Sequence, residues 1–285
     1  MSDAKLQLTE PGIWTKTSWI QIGYGIWVNQ VLVTVGLAFG FSAVALPQLD
    51  SPYSKIHSTI RNNAWIAGAL TLMQPIGCLI CGFMMDRFGR RMMMILCMIP
   101  MTFGWLYTGF ASTAHDIILG RIVTGIGCGM ASAPPRAYGT EICLPSMRGV
   151  IGVLPSLAMA AGILIQASLG TWLEWDKLCY ICGCYSLLLM VLNWMLPETP
   201  YYVLMHGTID KAKACLKRFR AKDYRTDYEV AEMKEFKSVN GIRFQIVCKP
   251  LHWQCIARCN QILFRYPSVN CYIQITEKNS SSGFW

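Results

Sequence analysis

The chain has 285 residues, of which 53% are hydrophobic and only 14% charged, and its mean hydropathy is +0.36. A soluble domain of this length needs a more highly charged surface, so the composition excludes an ordinary soluble protein and points to a lipid bilayer. The net charge of +9 does not indicate a nucleic-acid partner, because the basic residues sit in short loops and one tail and not along an aromatic-flanked helix face.

Residues 1–25 read as a cytoplasmic N-terminus. Asp3, Lys5, Glu10 and Lys16 interrupt any apolar leader core, so insertion falls to the first span itself. The first uncharged run is 26–46, closed by Pro47, and a polar linker leads to 64–85 and 92–114. Each run is long enough to cross about 30 Å of hydrocarbon as a helix at ~1.5 Å per residue. Between the second and third lie Asp86, Arg87, Arg90 and Arg91, a charged hexapeptide expected to be a tight turn at a membrane surface. A fourth run, 117–135, carries Arg121 as its only charge, and a polar loop is expected over 136–149. The runs 150–173 and 178–196 follow, separated by a very short loop. The expected fold is therefore an all-α membrane protein with six transmembrane helices and both chain ends on one side.

The positive-inside rule orients it. With the N-terminus cytoplasmic, inner segments hold seven cations (Lys5, Lys16, Arg87, Arg90, Arg91, Arg136, Arg148) and outer loops three (Lys55, Arg61, Lys177), which favours cytoplasmic N- and C-termini. Trp27, Trp65, Trp172, Trp175 and Trp194 near span ends fit interfacial belts, whereas Trp105 lies inside a span.

Small residues recur at helix-packing spacing, Gly36 with Gly40 and Gly125 with Gly129, where glycine lets backbones approach closely. Gly125-x-Gly127-x-Gly129 is no dinucleotide loop, since the glycines fall mid-span with no preceding strand. Polar groups at membrane depth are costly and therefore informative. Gln74, followed by a Pro75 that frees the Thr71 carbonyl, together with Ser156, Gln166 and Asn193, are candidates for a polar cavity between helices, although each amide can equally tie one helix to another. Arg121 is a cation for which no span offers a carboxylate.

Four motifs now stand in order at span boundaries: Gly82-x3-Asp86-Arg87-x-Gly89-Arg90-Arg91; Gly120-Arg121-x3-Gly125-x-Gly127-x-Gly129; Tyr138-x2-Glu141-x3-Pro145-x2-Arg148-Gly149; and Pro197-Glu198-Thr199-Pro200. Over residues 24 to 240 the chain resembles the sugar porters of the major facilitator superfamily, and within them the insect facilitated trehalose transporter-like branch. The resemblance implies the N-terminal half-bundle of a membrane transporter, not an enzyme, with a sugar as substrate, the plasma membrane as location, and neither cofactor nor metal. It implies a cytoplasmic gate or latch made of Asp86, Arg87, Gly89, Arg90, Arg91, Glu141, Arg148 and Glu198, against a bland reading as ordinary positive-inside residues. It also sets Ser42 opposite Arg121, where proton-coupled members carry an aspartate; serine does not titrate near neutral pH, so facilitative uniport is implied. Ser156 stands where the family has a sugar-contacting glutamine, Arg136 replaces a usual proline, and Tyr201 replaces a frequent arginine.

Residues 197–240 read as a cytoplasmic helical region. Ile209, Ala212, Leu216 and Phe219 form one apolar face among basic residues, expected to dock against the spans, and Thr226-x-x-Glu229 is a capping box. Residues 241–285 diverge from the family pattern and contain no further span, so a truncated form is expected, whose partners are the missing C-terminal half or a full-length transporter that it modulates. Cys248, His252, Cys255 and Cys259 have loosely metal-like spacing without paired knuckles, and Asn279 heads a glycosylation acceptor that a cytoplasmic tail would not use.

Overall fold

The computed structural model describes residues 15–51, 56 and 58–220, all within one compact unit that extends to residue 230; a second unit, 231–285, lies outside the described residues. The capping box at Thr226, the cysteine series and the acceptor at Asn279 therefore fall outside as well.

Among the described residues the chain is helical throughout. α1 runs Lys16–Leu49, α2 Ile60–Leu96, α3 Met98–Gly109, α4 Ala114–Ala131, α5 Pro134–Ile142, α6 Arg148–Gly170, α7 Trp175–Asn193, α8 Pro200–His206 and α9 Ile209–Leu216. Five stretches are long and apolar enough to cross a membrane. One of them, Ile60–Gly109, is 50 residues long. At ~1.5 Å per residue that is about 75 Å, enough for two crossings of hydrocarbon, so the described residues hold six.

The boundaries differ from the sequence expectation in ways that have local causes. α1 begins ten residues before the expected 26, because Thr15 caps it by accepting from the Ser18 backbone N–H at 3.4 Å, and Thr17, Ser18 and Gln21 are buried against other helices. The expected hexapeptide turn is not a loop. Helix continues on both sides of a single non-helical residue, Gly89, at φ 86 and ψ 170. That region is open essentially to glycine alone, so one residue does the work of a turn. The expected loop 136–149 is also mostly helical: Pro134 and Pro135, at the first helical positions, start α5, and a short 3-10 turn, Pro145–Met147, leads into α6. The third span stops at Gly109, and α4 starts on a capping box in which Thr113 and Asp116 bond reciprocally.

Packing joins α1 to α6 and α2 to α4, with α3 between α4 and α7. Glycines set the first two contacts. A Cβ on Gly36 would run into the Met159 carbonyl and lie 3.0 Å from Gly162 Cα; one on Gly77 would meet the Ile126 carbonyl and lie 2.9 Å from Gly129 Cα. The second pattern repeats the first residue for residue. The α1–α6 and α2–α4 crossings thus share one close-approach geometry. Phe41, Met98, Met101 and Trp105 fill the interior. Leu79 and Phe83 of α2 and Leu157 and Leu164 of α6 face outward, an apolar surface that suits lipid or a further helical layer. Of the expected belt tryptophans, Trp65, Trp172 and Trp194 are exposed, whereas Trp175 is buried and Trp27 half-buried, because both turn into the protein.

Candidate functional site

Two clusters of polar residues stand out, one at depth and one at the end of the bundle that carries Gly89.

At depth, α4 holds Arg121, only 2% exposed. Its Nη2 donates to Ser42 Oγ at 2.7 Å, its Nη1 to the Ala38 carbonyl at 2.8 Å and its Nε to the Ile66 carbonyl at 3.3 Å, while the guanidinium lies 5.2 Å from the centre of the Phe41 ring. One cation therefore binds α1 and α2 to α4. Backbone carbonyls and an aromatic face supply partial negative charge where the spans supply no carboxylate. The pairing of Ser42 with Arg121 is the one that the family resemblance implies; the Ala38 and Ile66 carbonyls were not legible, because backbone acceptors leave no trace in a sequence.

The other depth candidates do not converge there. Gln166 is fully buried between α1 and α7, accepting from Cys182 Sγ at 3.3 Å and packing against Gly40. Asn193 is fully buried at the other end of α7, with no hydrogen bond to its amide among the described residues. Gln74 is half-buried on α2 and Ser156 exposed on α6. The six candidates thus form one pair and four separate positions among the described residues.

At the bundle end, Arg90 Nε donates to Glu141 Oε1 at 2.7 Å, an ion pair between α2 and α5. Glu198, in the loop between α7 and α8, accepts from the backbone N–H groups of Arg91 at 3.2 Å and Thr199 at 3.1 Å. It thereby caps the helix that restarts after Gly89, whose first N–H groups lack intrahelical partners. A Cβ at residue 89 would lie 2.8 Å from Glu198 Oε2. Burial holds the Glu198 carboxyl above its usual range, against the opposing pull of these N–H groups and the Arg91 guanidinium. Arg91 also donates to the Trp194 carbonyl and lies 5.8 Å from that ring's centre; Arg87 sits over Phe83 at 4.8 Å. Asp86 and Arg148 are exposed and join none of these bonds.

The knot extends to α8 and α9. Tyr202 donates to the Arg87 carbonyl at 2.8 Å, Cys215 Sγ to the Glu198 carbonyl at 2.9 Å, and Tyr138 to the Pro197 carbonyl at 2.8 Å. Phe219 is fully buried, edge-on to Tyr24 at 4.9 Å and to Tyr138 at 6.2 Å, and Arg220 donates to the Ile142 carbonyl at 2.7 Å. Of the face expected to dock, Ala212 and Leu216 of α9 are buried, and Phe219, in the 3-10 turn that follows, packs on Tyr24 of α1 and Tyr138 of α5. Sequence reasoning missed two glutamines of α1: Gln21, which accepts from the Leu144 N–H at 3.0 Å, and Gln48, bonded to the loop between α6 and α7. An amide at a helix end, beside Pro47 in the case of Gln48, was the available signal.

Comparison with known proteins agrees with this architecture. The mouse solute carrier family 2, facilitated glucose transporter member 8, is 32% identical over 188 residues, 65% of this chain and 39% of the relative. The facilitated trehalose transporter Tret1 of Apis mellifera ligustica is 28% identical over 196 residues, 68% of this chain and 39% of the relative. The chain thus spans well under half the length of these relatives. Among solved structures, the proton:xylose symporter XylE bound to 6-bromo-6-deoxy-D-glucose superposes with a TM-score of 0.60 at 18% identity, over 76% of this chain and 53% of that one. A partially occluded inward-open XylE from E. coli gives 0.62 at 18% identity, over 79% and 61%. Residues 17–278 match the sugar (and other) transporter family, and the chain belongs to that family.

Proposed function

We propose that this chain is the N-terminal half-bundle of a facilitative sugar carrier at the plasma membrane, with both termini cytoplasmic, passing trehalose or a hexose by alternating access with a second half-bundle. The observation that carries the facilitative part is Arg121 held by a hydroxyl and two carbonyls: Ser42 takes up no proton near neutral pH, so the site has no evident means of coupling sugar movement to protons. The sugar itself is argued from the family and from relatives named for glucose and trehalose. In this reading Arg90, Arg91, Glu141, Glu198 and Gly89 form the cytoplasmic latch that opens and closes, with Asp86, Arg87 and Arg148 free to engage the second half; Ser42, Gln74, Arg121, Ser156, Gln166 and Asn193 contribute to the sugar path.

A second reading rests on the outward apolar faces of α2 and α6, which suit a further helical layer: a membrane protein that pairs with full-length transporters and modulates them. Radiolabelled sugar uptake into vesicles holding residues 1–285, alone and with a C-terminal half, separates the two. Uptake with the added half supports the carrier. No uptake in either case, together with altered flux through a co-expressed complete carrier, supports the modulator.

A further inference from the structure

The far end of α1, opposite the Gly89 elbow, is tied down by one side chain. Gln48 Nε2 donates to the Gly170 carbonyl at 3.3 Å and the Leu173 carbonyl at 3.1 Å, and its Oε1 accepts from the Trp175 N–H at 2.7 Å. These are helix-end groups. Gly170 closes α6 and Trp175 opens α7, and the residue before it, Glu174, makes no side-chain cap. A single amide from α1 therefore caps two other helices, taking a role that local side chains usually fill.

The position matters because of what precedes it. Pro47 lies inside the last turn of α1 and has no N–H to bond back to the Ala43 carbonyl, so that turn is weakened at the place where α1 leaves the bundle. Ser42, six residues before Gln48 and about 9 Å along the helix, is the α1 side chain that receives Arg121. Without an external tie, a loosened last turn would leave Ser42 free to drift from the guanidinium.

We propose that Gln48 is a positioning residue for the Arg121 site: by capping α6 and α7 in trans it fixes the end of α1 and so holds Ser42 in register with Arg121. This deepens the carrier reading and rests on it for its functional meaning, but its geometry stands apart from transport. In a working carrier, the far-end loop between α6 and α7 is thereby linked to the buried cation, and movement of that loop is felt at Ser42.

The test uses the full chain, labelled with 15N-arginine and held in nanodiscs. The Arg121 Nε–H resonance is assigned by its loss in Arg121→Lys, and exchange of the Trp175 amide is followed in parallel. Gln48→Ala is expected to speed Trp175 exchange by about tenfold, the loss of one ordinary hydrogen bond, and to shift or broaden the Arg121 signal. Gln48→Glu keeps the acceptor for Trp175 but sets a carboxylate against two carbonyls; Trp175 stays protected while the Arg121 signal still changes. An Arg121 signal unchanged in both variants reduces Gln48 to a loop cap and overturns the proposal, and so does unchanged Trp175 exchange in Gln48→Ala. If Gln48→Ala does not fold, Gln48→Glu decides. Sugar uptake plays no part in either readout, so a chain that carries no sugar sinks the carrier reading and leaves this one standing.

Discussion

Arg121 and Ser42 meet at 2.7 Å across the interface of α4 and α1, and the hydroxyl is, among the described residues, the one side-chain oxygen to which the guanidinium donates. A hydrogen bond to a charged donor is worth about 1.5–3 kcal/mol, so Ser42→Ala should lower the thermal stability of the detergent-solubilised chain measurably. Ser42→Asp should do something different. It sets a carboxylate against the guanidinium, and stability should become pH-dependent, falling as acid protonates that carboxylate. Identical pH profiles for parent and Ser42→Asp would remove Ser42 from the guanidinium's surroundings.

The glycine crossings make a sharper contrast. Gly36→Ala and Gly129→Ala push a methyl into backbone carbonyls that cannot rotate away, with an expected cost of about 1–3 kcal/mol each. Gly82→Ala, where a Cβ meets nothing within 4 Å, should be neutral or stabilising by about 0.5–1 kcal/mol. Thermal melts of the three variants check this; equal losses at all three would show that the helices do not approach as described.

At the elbow, Gly89→Ala demands a backbone conformation costing about 1–3 kcal/mol and sets its methyl against Glu198, so α8 should detach before the spans unfold. Limited proteolysis between α7 and α9 would report that release, and an uncleaved Gly89→Ala chain would count against it.

The ion pair of Arg90 with Glu141 is largely shielded, with side chains 19% and 17% exposed. A double-mutant cycle of Arg90→Ala and Glu141→Gln should return a coupling of about 0.5–3 kcal/mol in melting experiments. Additive losses would make it an incidental contact.

Glu198 predicts a direction in pH. Burial raises its carboxyl above the usual range, so the folded state binds a proton more readily than the unfolded one. This contribution favours the fold at pH below the raised value and fades as pH climbs through it. Glu198→Gln, which keeps an acceptor for the Arg91 N–H without the buried charge, should flatten that part of the stability profile. An unchanged slope between pH 5 and 8 would assign the dependence to another group.

Much of this was legible in the sequence because membranes punish ambiguity. Uncharged runs of bilayer length, a charged elbow, and glycines one turn apart each have few alternative explanations, and they located the spans and the Gly89 turn, while the Ser42–Arg121 pair came from the family resemblance. What escaped reading has two sources, contacts between distant segments and local restarts of the helix. α1 extends back to Lys16 because Gln21 finds the Leu144 N–H, and 136–149 is helical because Pro134 and Pro135 restart the chain after Ala131 and not after the expected 135. Gln166 and Asn193 were legible as costly polar groups at depth, but not that Gln166 accepts from Cys182 Sγ, because polarity does not say which way a side chain turns.

Gln48 and its acceptor Gly170 are separated by 122 residues, whereas Ile66 and Arg121 are only 55 apart. At about 5–20 residues per second of synthesis, the first helix waits on the order of ten seconds after its emergence for the segment that covers its glycine seam, several seconds longer than the second helix waits for the fourth. The newborn chain accordingly holds in the membrane a first helix whose glycine groove and Gln48 amide stay uncovered until α6 is made, after α2 has already met α4.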